Sequence, residues 1–156
     1  PGALALARVI ERRSFRGARV VELGCGLALP SLVAALRGAD VVASDYSADA
    51  LERVAESGRR TLGRPLETLQ ADLHAPAALV ERGPFDLVLG ADLLYDCTLA
   101  ESMGALIPRI APAALFAYAW MRSAIPLAAP LVAHGYRIAQ WRPGSKGPRL
   151  LEAVCR

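Results

Sequence analysis

The chain has 156 residues, of which 54% are hydrophobic and 21% are charged. It is therefore long enough and apolar enough for one folded domain with a buried core, which excludes a disordered or fibrous protein. The richest apolar stretch, 111–133, is interrupted by Arg122, Pro126 and Pro130, so no stretch reaches the roughly 18 residues of a membrane span. We expect a soluble protein.

The charged residues and the cysteines favour neither nucleic acid nor metal as a ligand. The net charge is +3, but the basic residues are scattered along the chain rather than grouped into a patch. Cys25, Cys97 and Cys155 lack the spacing of a zinc site, and their odd number suits reduced thiols better than a disulfide framework. We therefore expect a cytoplasmic protein with no metal.

The ends and the overall bias of the chain give two further expectations. The chain begins at Pro1 without a charged and apolar leader, so the sequence indicates no targeting, and we expect an N-terminal segment to be missing. Nearly all the basic residues are arginine and alanine is abundant, a bias that indicates a GC-rich, bacterial coding genome. Within residues 1–156 we expect a single domain.

Helical and strand-like segments alternate along the chain. Helices are expected at 2–14, 29–38, 47–60, 75–83, 97–110 and 121–135, and strands at 18–23, 40–45, 66–72, 85–92, 113–120, 136–143 and 149–156. The strands are continuously apolar rather than alternating, which is typical of a parallel sheet covered by helices on both faces. The last two strands are joined by a short loop and should be antiparallel. The sequence therefore predicts an α/β fold with a doubly wound, mostly parallel sheet of seven strands.

The turn after the first strand, Glu22-Leu23-Gly24-Cys25-Gly26, is a candidate ligand loop. In an open parallel sheet, ligands bind beyond the carboxyl ends of the strands, and glycines let the backbone approach them closely. A dinucleotide loop of the form GxGxxG would need glycine where this chain has Leu29, and no Lys-Ser/Thr pair follows Gly26 as in a phosphate loop. Glu22 further disfavours a phosphate and suits a cationic ligand. A tight turn with no ligand is the structural alternative.

Acidic residues also follow the second and third strands. Asp45 ends the second strand, where a carboxylate can accept both hydroxyls of a ribose, and Tyr46 beside it could cover an adenine ring. Asp72 follows the third strand and could reach the edge of a base. The alternatives are a strand-end acid in a turn for Asp45 and a helix N-cap for Asp72.

These motifs resemble those of seven-stranded, class I S-adenosylmethionine-dependent methyltransferases. E-L-G-C-G at 22–26, S-D at 44–45, A-D at 71–72 and F-D-L-V-L-G-A-D at 85–92 match the family's motifs in order, although Ala28 replaces the usual third glycine. The resemblance implies a Rossmann-like sheet of order 3-2-1-4-5-7-6 with the last strand inserted antiparallel. It also implies S-adenosylmethionine as cofactor, held by Glu22, Gly24, Cys25, Gly26, Asp45, Tyr46, Asp72, Leu73 and Ala91.

The segment after the fourth strand is a more specific signal. Asp92-Leu93-Leu94-Tyr95 has the D-x-x-Y form of methyltransferase family 16, which includes protein-lysine methyltransferases and nicotinamide N-methyltransferase-like proteins. The resemblance implies that Asp92 and Tyr95 are the catalytic residues. A capping acid and an aromatic residue at the edge of the core are the structural alternatives.

The resemblance implies N-methylation of an amine, with a protein lysine as the favoured acceptor. A small-molecule amine N-methyltransferase is the alternative enzyme, and a catalytically idle cofactor-binding domain is the alternative outside enzymes. The fourth strand ends in neither N/D-P-P-Y/F nor Pro-Cys, the patterns associated with base methylation, so a nucleic-acid acceptor is disfavoured. An NAD-dependent dehydrogenase is the remaining interpretation.

Overall fold

A computed structural model describes residues 1–119 and 124–155 of the chain. Helices and strands alternate along it as the sequence predicts. In chain order the elements are α1 (Gly2–Ile10), β1 (Arg19–Leu23), α2 (Leu29–Leu36), β2 (Asp40–Asp45), α3 (Ala48–Leu62), β3 (Glu67–Gln70), α4 (Ala77–Arg82), β4 (Leu87–Ala91), α5 (Cys97–Ile110), β5 (Ala113–Tyr118), α6 (Ala124–Ala133), β6 (Tyr136–Trp141) and β7 (Arg149–Cys155).

The sheet has seven strands in the order β3-β2-β1-β4-β5-β7-β6, which confirms the predicted order. The first five strands pair in parallel, whereas β7 runs antiparallel to both β5 and β6. The strand order reverses between β1 and β4, which are neighbours in the sheet although three helices and two strands separate them in sequence. This reversal is the place where open α/β sheets bind their ligands.

Both faces of the sheet are covered by helices, as the continuous apolar strands predict. One face packs on α4, α5 and α6 through residues such as Leu79, Met103 and Leu127, and the other packs on α1, α2 and α3. Neighbouring strand residues divide between the two faces, since Val88 packs in the first cluster and Leu89 in the second. Full burial of such side chains contributes about 1.5–3 kcal/mol each, so the strands are fixed from both sides.

Several element boundaries differ from the sequence predictions. The first helix ends at Ile10 rather than at residue 14, because the chain turns there and the Phe15 amide hydrogen-bonds to the Arg37 carbonyl oxygen. The third strand ends at Gln70, which leaves Asp72 in a turn. The predictions that the fifth strand extends to residue 120 and that the next helix begins at residue 121 lie outside the described residues.

None of the helices in the described part of the chain is both long enough and apolar enough to cross a membrane.

Candidate functional site

A cleft of about 470 Å³ opens at the carboxyl ends of β1 to β4. It brings together residues from four separate turns, which the parallel strands deliver to the same edge of the sheet. The lining residues are Gly24, Asp45, Tyr46, Ala71, Asp72, Leu73, His74, Leu93, Tyr95 and Leu99. Six of the residues predicted from the sequence therefore meet here: Gly24, Asp45, Tyr46, Asp72, Leu73 and Tyr95.

Asp45 is the most buried carboxylate of this cleft, with only 8% of its surface exposed. Its Oδ2 accepts a hydrogen bond from the Gly26 amide at 2.9 Å, and its Oδ1 accepts one from the Ser47 amide at 3.0 Å. A carboxylate has about four acceptor positions, so each oxygen can take a further donor. Asp45 thus ties the β1–α2 loop to the end of β2 and still offers acceptor positions to the cleft.

The β1–α2 loop is built from left-handed backbone conformations. Gly24 and Gly26 have φ values of +53° and +52°. A Cβ on Gly24 would lie 2.5 Å from the Leu93 Cδ2 atom, whereas a Cβ on Gly26 would meet nothing within 4 Å. Residue 24 must therefore be glycine both because a side chain has no space and because of its backbone conformation. Residue 26 favours glycine because of its backbone conformation, and the open space beside it lets a ligand approach the backbone.

Ala28 adopts the same left-handed conformation, with φ of +53° and ψ of +35°. It stands where the family's first motif carries its third glycine. Alanine at this position therefore keeps the backbone conformation that glycine would have, at a cost of about 1–2 kcal/mol for an L-residue.

Glu22 is buried behind the loop and does not line the cleft. Its Oε2 accepts hydrogen bonds from the Ser31 amide at 2.9 Å and from the Ser31 hydroxyl at 2.5 Å. Burial raises the pKa of Glu22 to about 7, against the lowering effect of the Ser31 hydrogen bonds. Because Ala28, at the N-cap of α2, has no capping side chain, Glu22 satisfies an amide of the first turn instead. Its direct contact with a ligand stays a prediction.

Three more predicted residues, Cys25, Gly26 and Ala91, adjoin the cleft without lining it. The Cys25 side chain is buried, and burial is the main cause that raises the pKa of its thiol, so it remains protonated. Its amide donates to the Ser44 carbonyl oxygen at 2.9 Å. Gly26 acts through its amide on Asp45, and Ala91 is the half-buried last residue of β4.

The turn after β3 places Asp72, Leu73 and His74 in the cleft wall. Asp72 Oδ1 accepts a hydrogen bond from the His74 amide at 2.8 Å. It closes this turn and does not cap the helix, since α4 begins at Ala77 behind Pro76, without a side-chain cap. Of the lining residues, Ala71, His74, Leu93 and Leu99 were not predicted, because turn residues and apolar residues have no distinctive sequence signal.

Asp92 follows β4 in a left-handed conformation with φ of +56°, which is uncommon outside glycine. Its Oδ2 accepts a hydrogen bond from the Gly2 amide at the start of α1, at 2.8 Å. Asp92 and Tyr95 line a second cleft of about 360 Å³. Tyr95 also lines the first cleft, whereas Asp92 lines the second cleft alone, so Tyr95 is the residue that the two clefts share.

The charge of the first cleft is acidic. Asp45 and Asp72 are its carboxylates, and none of its lining residues in the described part of the chain is Arg or Lys. The other lining side chains include three leucines, two tyrosines and a histidine: Leu73, Leu93, Leu99, Tyr46, Tyr95 and His74. Phosphate groups are bound by cationic side chains or clustered amides, so these carboxylate acceptors suit a ligand with hydroxyl groups and positive charge.

Residues 20–111, more than half of the chain, match the family model described as a methyltransferase domain. The chain is 36% identical over 101 residues to mouse EEF1A lysine methyltransferase 3, covering 60% of this chain and 41% of that protein. It is 33% identical over 111 residues to zebrafish protein N-lysine methyltransferase METTL21A, covering 67% and 49%. The chain thus spans less than half the length of these relatives.

Solved structures agree on the fold. The crystal structure of magnesium protoporphyrin IX methyltransferase from Synechocystis, with bound SAM, matches with a TM-score of 0.79 and 22% identity, covering 99% of this chain and 79% of that one. The ribosomal protein L11 methylase from Lactobacillus delbrueckii matches with a TM-score of 0.76 and 20% identity, covering 97% and 77%. By its family match and its strand order, the chain belongs to the class I S-adenosylmethionine-dependent methyltransferases and resembles their family 16.

Proposed function

We propose that the chain is an S-adenosylmethionine-dependent N-methyltransferase domain, with the cofactor in the first cleft and an amine as acceptor. The observation that carries the proposal is the lining of this cleft, where two carboxylate acceptors meet apolar and aromatic side chains, with no arginine or lysine among the described residues. S-adenosylmethionine has ribose hydroxyls and adenine, carries positive charge and lacks phosphate. The residues present therefore fit this group.

Each wall of the cleft has its own part in holding the cofactor. Asp45 offers its remaining acceptor positions to ribose hydroxyls, with its orientation fixed by the Gly26 and Ser47 amides. Leu73, Leu93 and Leu99 supply apolar surface for a planar base, and Asp72 keeps Oδ2 for a donor on the edge of that base. Gly24 lets the ligand approach the backbone.

The residues proposed to receive the acceptor, Asp92 and Tyr95, line the second cleft, which shares Tyr95 with the first. When bound, S-adenosylmethionine supplies a methyl group that is already activated for transfer, so the protein's main task is to position the acceptor. Asp92 can accept a hydrogen bond from the incoming amine, and Tyr95 lines its path with an aromatic ring. The left-handed backbone at Asp92 supports this role, because strained conformations persist where a side chain must be aimed.

A protein lysine is the favoured acceptor. Two sequence relatives are named as lysine methyltransferases, which supports this choice. A frog relative, 34% identical over 104 residues, is named histone-arginine methyltransferase METTL23, so a protein arginine is the second candidate. A small-molecule amine remains the alternative outside proteins, and an idle cofactor-binding domain the alternative outside enzymes.

The cofactor assignment is tested at Asp45. Calorimetry with S-adenosylhomocysteine should detect binding that Asp45→Ala weakens at least tenfold, because the loop amides and the ligand both lose their acceptor. Asp49→Ala is the matched control, since Asp49 is an exposed acid on α3 outside the cleft. Equal affinity of the wild type and Asp45→Ala for S-adenosylhomocysteine would contradict the assignment of Asp45 to the ribose.

The acceptor assignment is tested with tritiated cofactor. The chain is incubated with lysate of cells that carry its gene, and the label is separated into protein and small-molecule fractions. Label in protein supports the lysine or arginine proposal. Hydrolysis of the labelled protein and separation of its amino acids then distinguishes methyl-lysine from methyl-arginine. Asp92→Ala should lower incorporation tenfold or more, whereas Glu101→Gln, an exposed change on α5, should not. Label in neither fraction favours the idle domain.

A further inference from the structure

The charges of the chain are divided unevenly along its length. Between Glu101 and Glu152 the sequence contains no acidic residue but six basic ones: Arg109, Arg122, Arg137, Arg142, Lys146 and Arg149. Three of these, Arg142, Lys146 and Arg149, lie in the loop between β6 and β7 or at the start of β7. We call these three residues the basic hairpin. A local excess of one charge suits a partner of the opposite charge.

The basic hairpin lies at the same edge of the sheet as the two clefts. Ala91 of β4 pairs with Ala117 of β5. The residues that follow them, Asp92 and Tyr118, are therefore neighbours, and Tyr118 pairs in turn with Arg149 of β7. Adjacent strands are about 4.8 Å apart, so the backbone of Arg149 lies about 10 Å from that of Asp92. The basic hairpin is thus within reach of a protein segment that enters the second cleft.

Arg149 carries a buried donor that lacks a partner. Its Nε atom is buried and, among the described residues, has no hydrogen-bond partner. The neighbouring Tyr118 hydroxyl donates its own proton to the Gln140 Oε1 at 2.9 Å and brings no negative charge. Leaving a buried donor unpaired costs about 1–3 kcal/mol, so such a group in a folded protein calls for an explanation. A carboxylate oxygen from a bound partner would supply one.

The two arginines of the basic hairpin also repel each other. The β6–β7 register, continued by one pair beyond Trp141 and Leu150, puts Arg142 opposite Arg149. Burial raises the pKa of Tyr118 and both arginines act in the opposite direction, so both charges lie near its hydroxyl. Like charges in facing positions are destabilising. The salt bridges among the described residues involve no residue of the basic hairpin, so no acid of the described chain neutralises it.

We infer that the basic hairpin binds an acidic residue of the protein that is methylated, close to the amine that enters the second cleft. Arginine presents a planar fork of donors that binds a carboxylate through two parallel hydrogen bonds, which would satisfy the Nε atom of Arg149. Arg142 and Lys146 are exposed and extend the positive charge outward. An extended peptide advances about 3.3 Å per residue, so the carboxylate belongs about two to four residues from the one that carries the amine. The inference rests on the proposed function, because it deepens the choice of a protein acceptor.

A protein fits this surface better than a nucleic acid does. The second cleft has the carboxylate of Asp92 in its wall, and the first cleft has those of Asp45 and Asp72. These acids would repel a continuous phosphate backbone. A peptide can instead offer a positive amine to the acids and a carboxylate to the arginines, so the surface is complementary to a segment that carries both charges.

The test uses two short lysine peptides that differ only in charge. Both are blocked at their ends and carry a fluorescent label. One has a glutamate three residues to each side of the lysine, and the other has glutamine at these positions. Fluorescence anisotropy measures their binding to the chain with and without S-adenosylhomocysteine. The acidic peptide should bind at least about fivefold more tightly, and this preference should shrink as the salt concentration rises from about 0.05 M to about 0.5 M.

Variants of the basic hairpin assign the preference to its residues. Arg149→Gln should weaken binding of the acidic peptide about 3- to 30-fold and leave binding of the glutamine peptide nearly unchanged. Arg142→Gln and Lys146→Gln change exposed residues, so they serve if Arg149→Gln does not fold; each should weaken binding of the acidic peptide about two- to fivefold. Arg137→Gln is the matched control, because it removes an exposed arginine from the other end of β6, opposite Val154. It should leave the binding of both peptides unchanged.

The outcomes separate this inference from the proposed function. Equal binding of the two peptides to the wild type overturns the inference, and so does a preference that all three hairpin variants retain or that Arg137→Gln also loses. A uridine oligoribonucleotide that binds more tightly than the acidic peptide, and loses this binding in Arg149→Gln, would overturn it in favour of nucleic acid. A chain that prefers the acidic peptide but never binds S-adenosylhomocysteine supports the role of the basic hairpin and refutes the cofactor proposal.

Discussion

Asp92 owes its position to a residue far away in sequence. A Cβ on Gly2 would lie 2.4 Å from Asp92 Oδ1, so any side chain at residue 2 would push the carboxylate away. The sequence shows Pro1-Gly2 as the start of a helix but contains no sign that this glycine faces the fourth strand.

Gly2→Ala should therefore impair methyl transfer more than stability. The atom that a methyl group would meet is the far end of the Asp92 side chain, which can swing aside, and alanine is a better helix former than glycine. We expect the free energy of unfolding to change by less than about 1 kcal/mol and methyl transfer to fall tenfold or more. Leu4→Ala, an exposed change on α1, is the control, and equal rates in all three proteins would contradict the prediction.

Ala28 provides a second prediction at the level of single residues. Ala28 has a left-handed conformation, so Ala28→Gly removes backbone strain. The same change loses a buried methyl group and raises the conformational entropy of the unfolded chain. These effects oppose each other, so the free energy of unfolding should change by less than about 1 kcal/mol. Ala28→Val should cost more than about 2 kcal/mol, because a β-branched residue strongly disfavours this conformation. Urea unfolding measures both. Ala35→Gly, within α2, should cost about 1 kcal/mol; a similar cost at residue 28 would argue against the strain.

At the scale of elements, the β1–α2 connection depends on the buried pair of Glu22 and Ser31. Two donors from the first turn of α2 meet one carboxylate at the end of β1, so this carboxylate fixes where the helix starts. The sequence shows an acid two residues before Gly24 and favours a ligand as the reason. The structure shows a helix start that lacks its own cap as a second reason.

Glu22 should make the stability of the fold depend on pH. Its pKa is about 7 in the folded chain and about 4.5 as a free side chain, so between these values the folded state binds more protons and the free energy of unfolding falls as the pH rises. At about 1.4 kcal/mol per pH unit, the loss by pH 7 is on the order of 3 kcal/mol. Urea unfolding across this range should show it in wild type and lose it in Glu22→Gln.

Glu56→Gln is the control for this pH dependence. Hydrogen bonds from Arg60 and Arg59 lower the pKa of Glu56, so its stabilisation is present above the unfolded pKa and disappears only as the pH falls below it. The two carboxyl groups thus act in different pH ranges. If Glu22→Gln retained the wild-type slope between pH 4.5 and 7, the buried carboxyl would not be its source.

At the scale of the whole molecule, the cofactor cleft couples distant parts of the chain. Its lining residues lie between Gly24 and Leu99 and follow four different strands, so a ligand there contacts much of the sheet's carboxyl edge. A ligand that binds only this assembled edge stabilises the folded state as a unit.

S-adenosylhomocysteine at about 100 times its dissociation constant should therefore stabilise the chain by about 2.7 kcal/mol and raise Tm by roughly 5–10 °C. NAD at the same concentration should leave Tm unchanged. Asp45→Ala should show a smaller shift at the same ligand concentration. A shift with NAD alone, measured by calorimetric melting, would favour the dehydrogenase interpretation.

The sequence by itself determined the order and type of the elements, because continuous apolar strands and amphipathic helices are local patterns. It also determined that Gly24, Asp45, Asp72 and Tyr95 meet, since each follows a parallel strand and such strands share one edge. Only the tertiary structure decided what the partners of these residues are. Glu22 faces Ser31, Asp92 faces Gly2, and Tyr118 faces Gln140. These contacts depend on how helices pack and how β7 inserts beside β5, which no local pattern records.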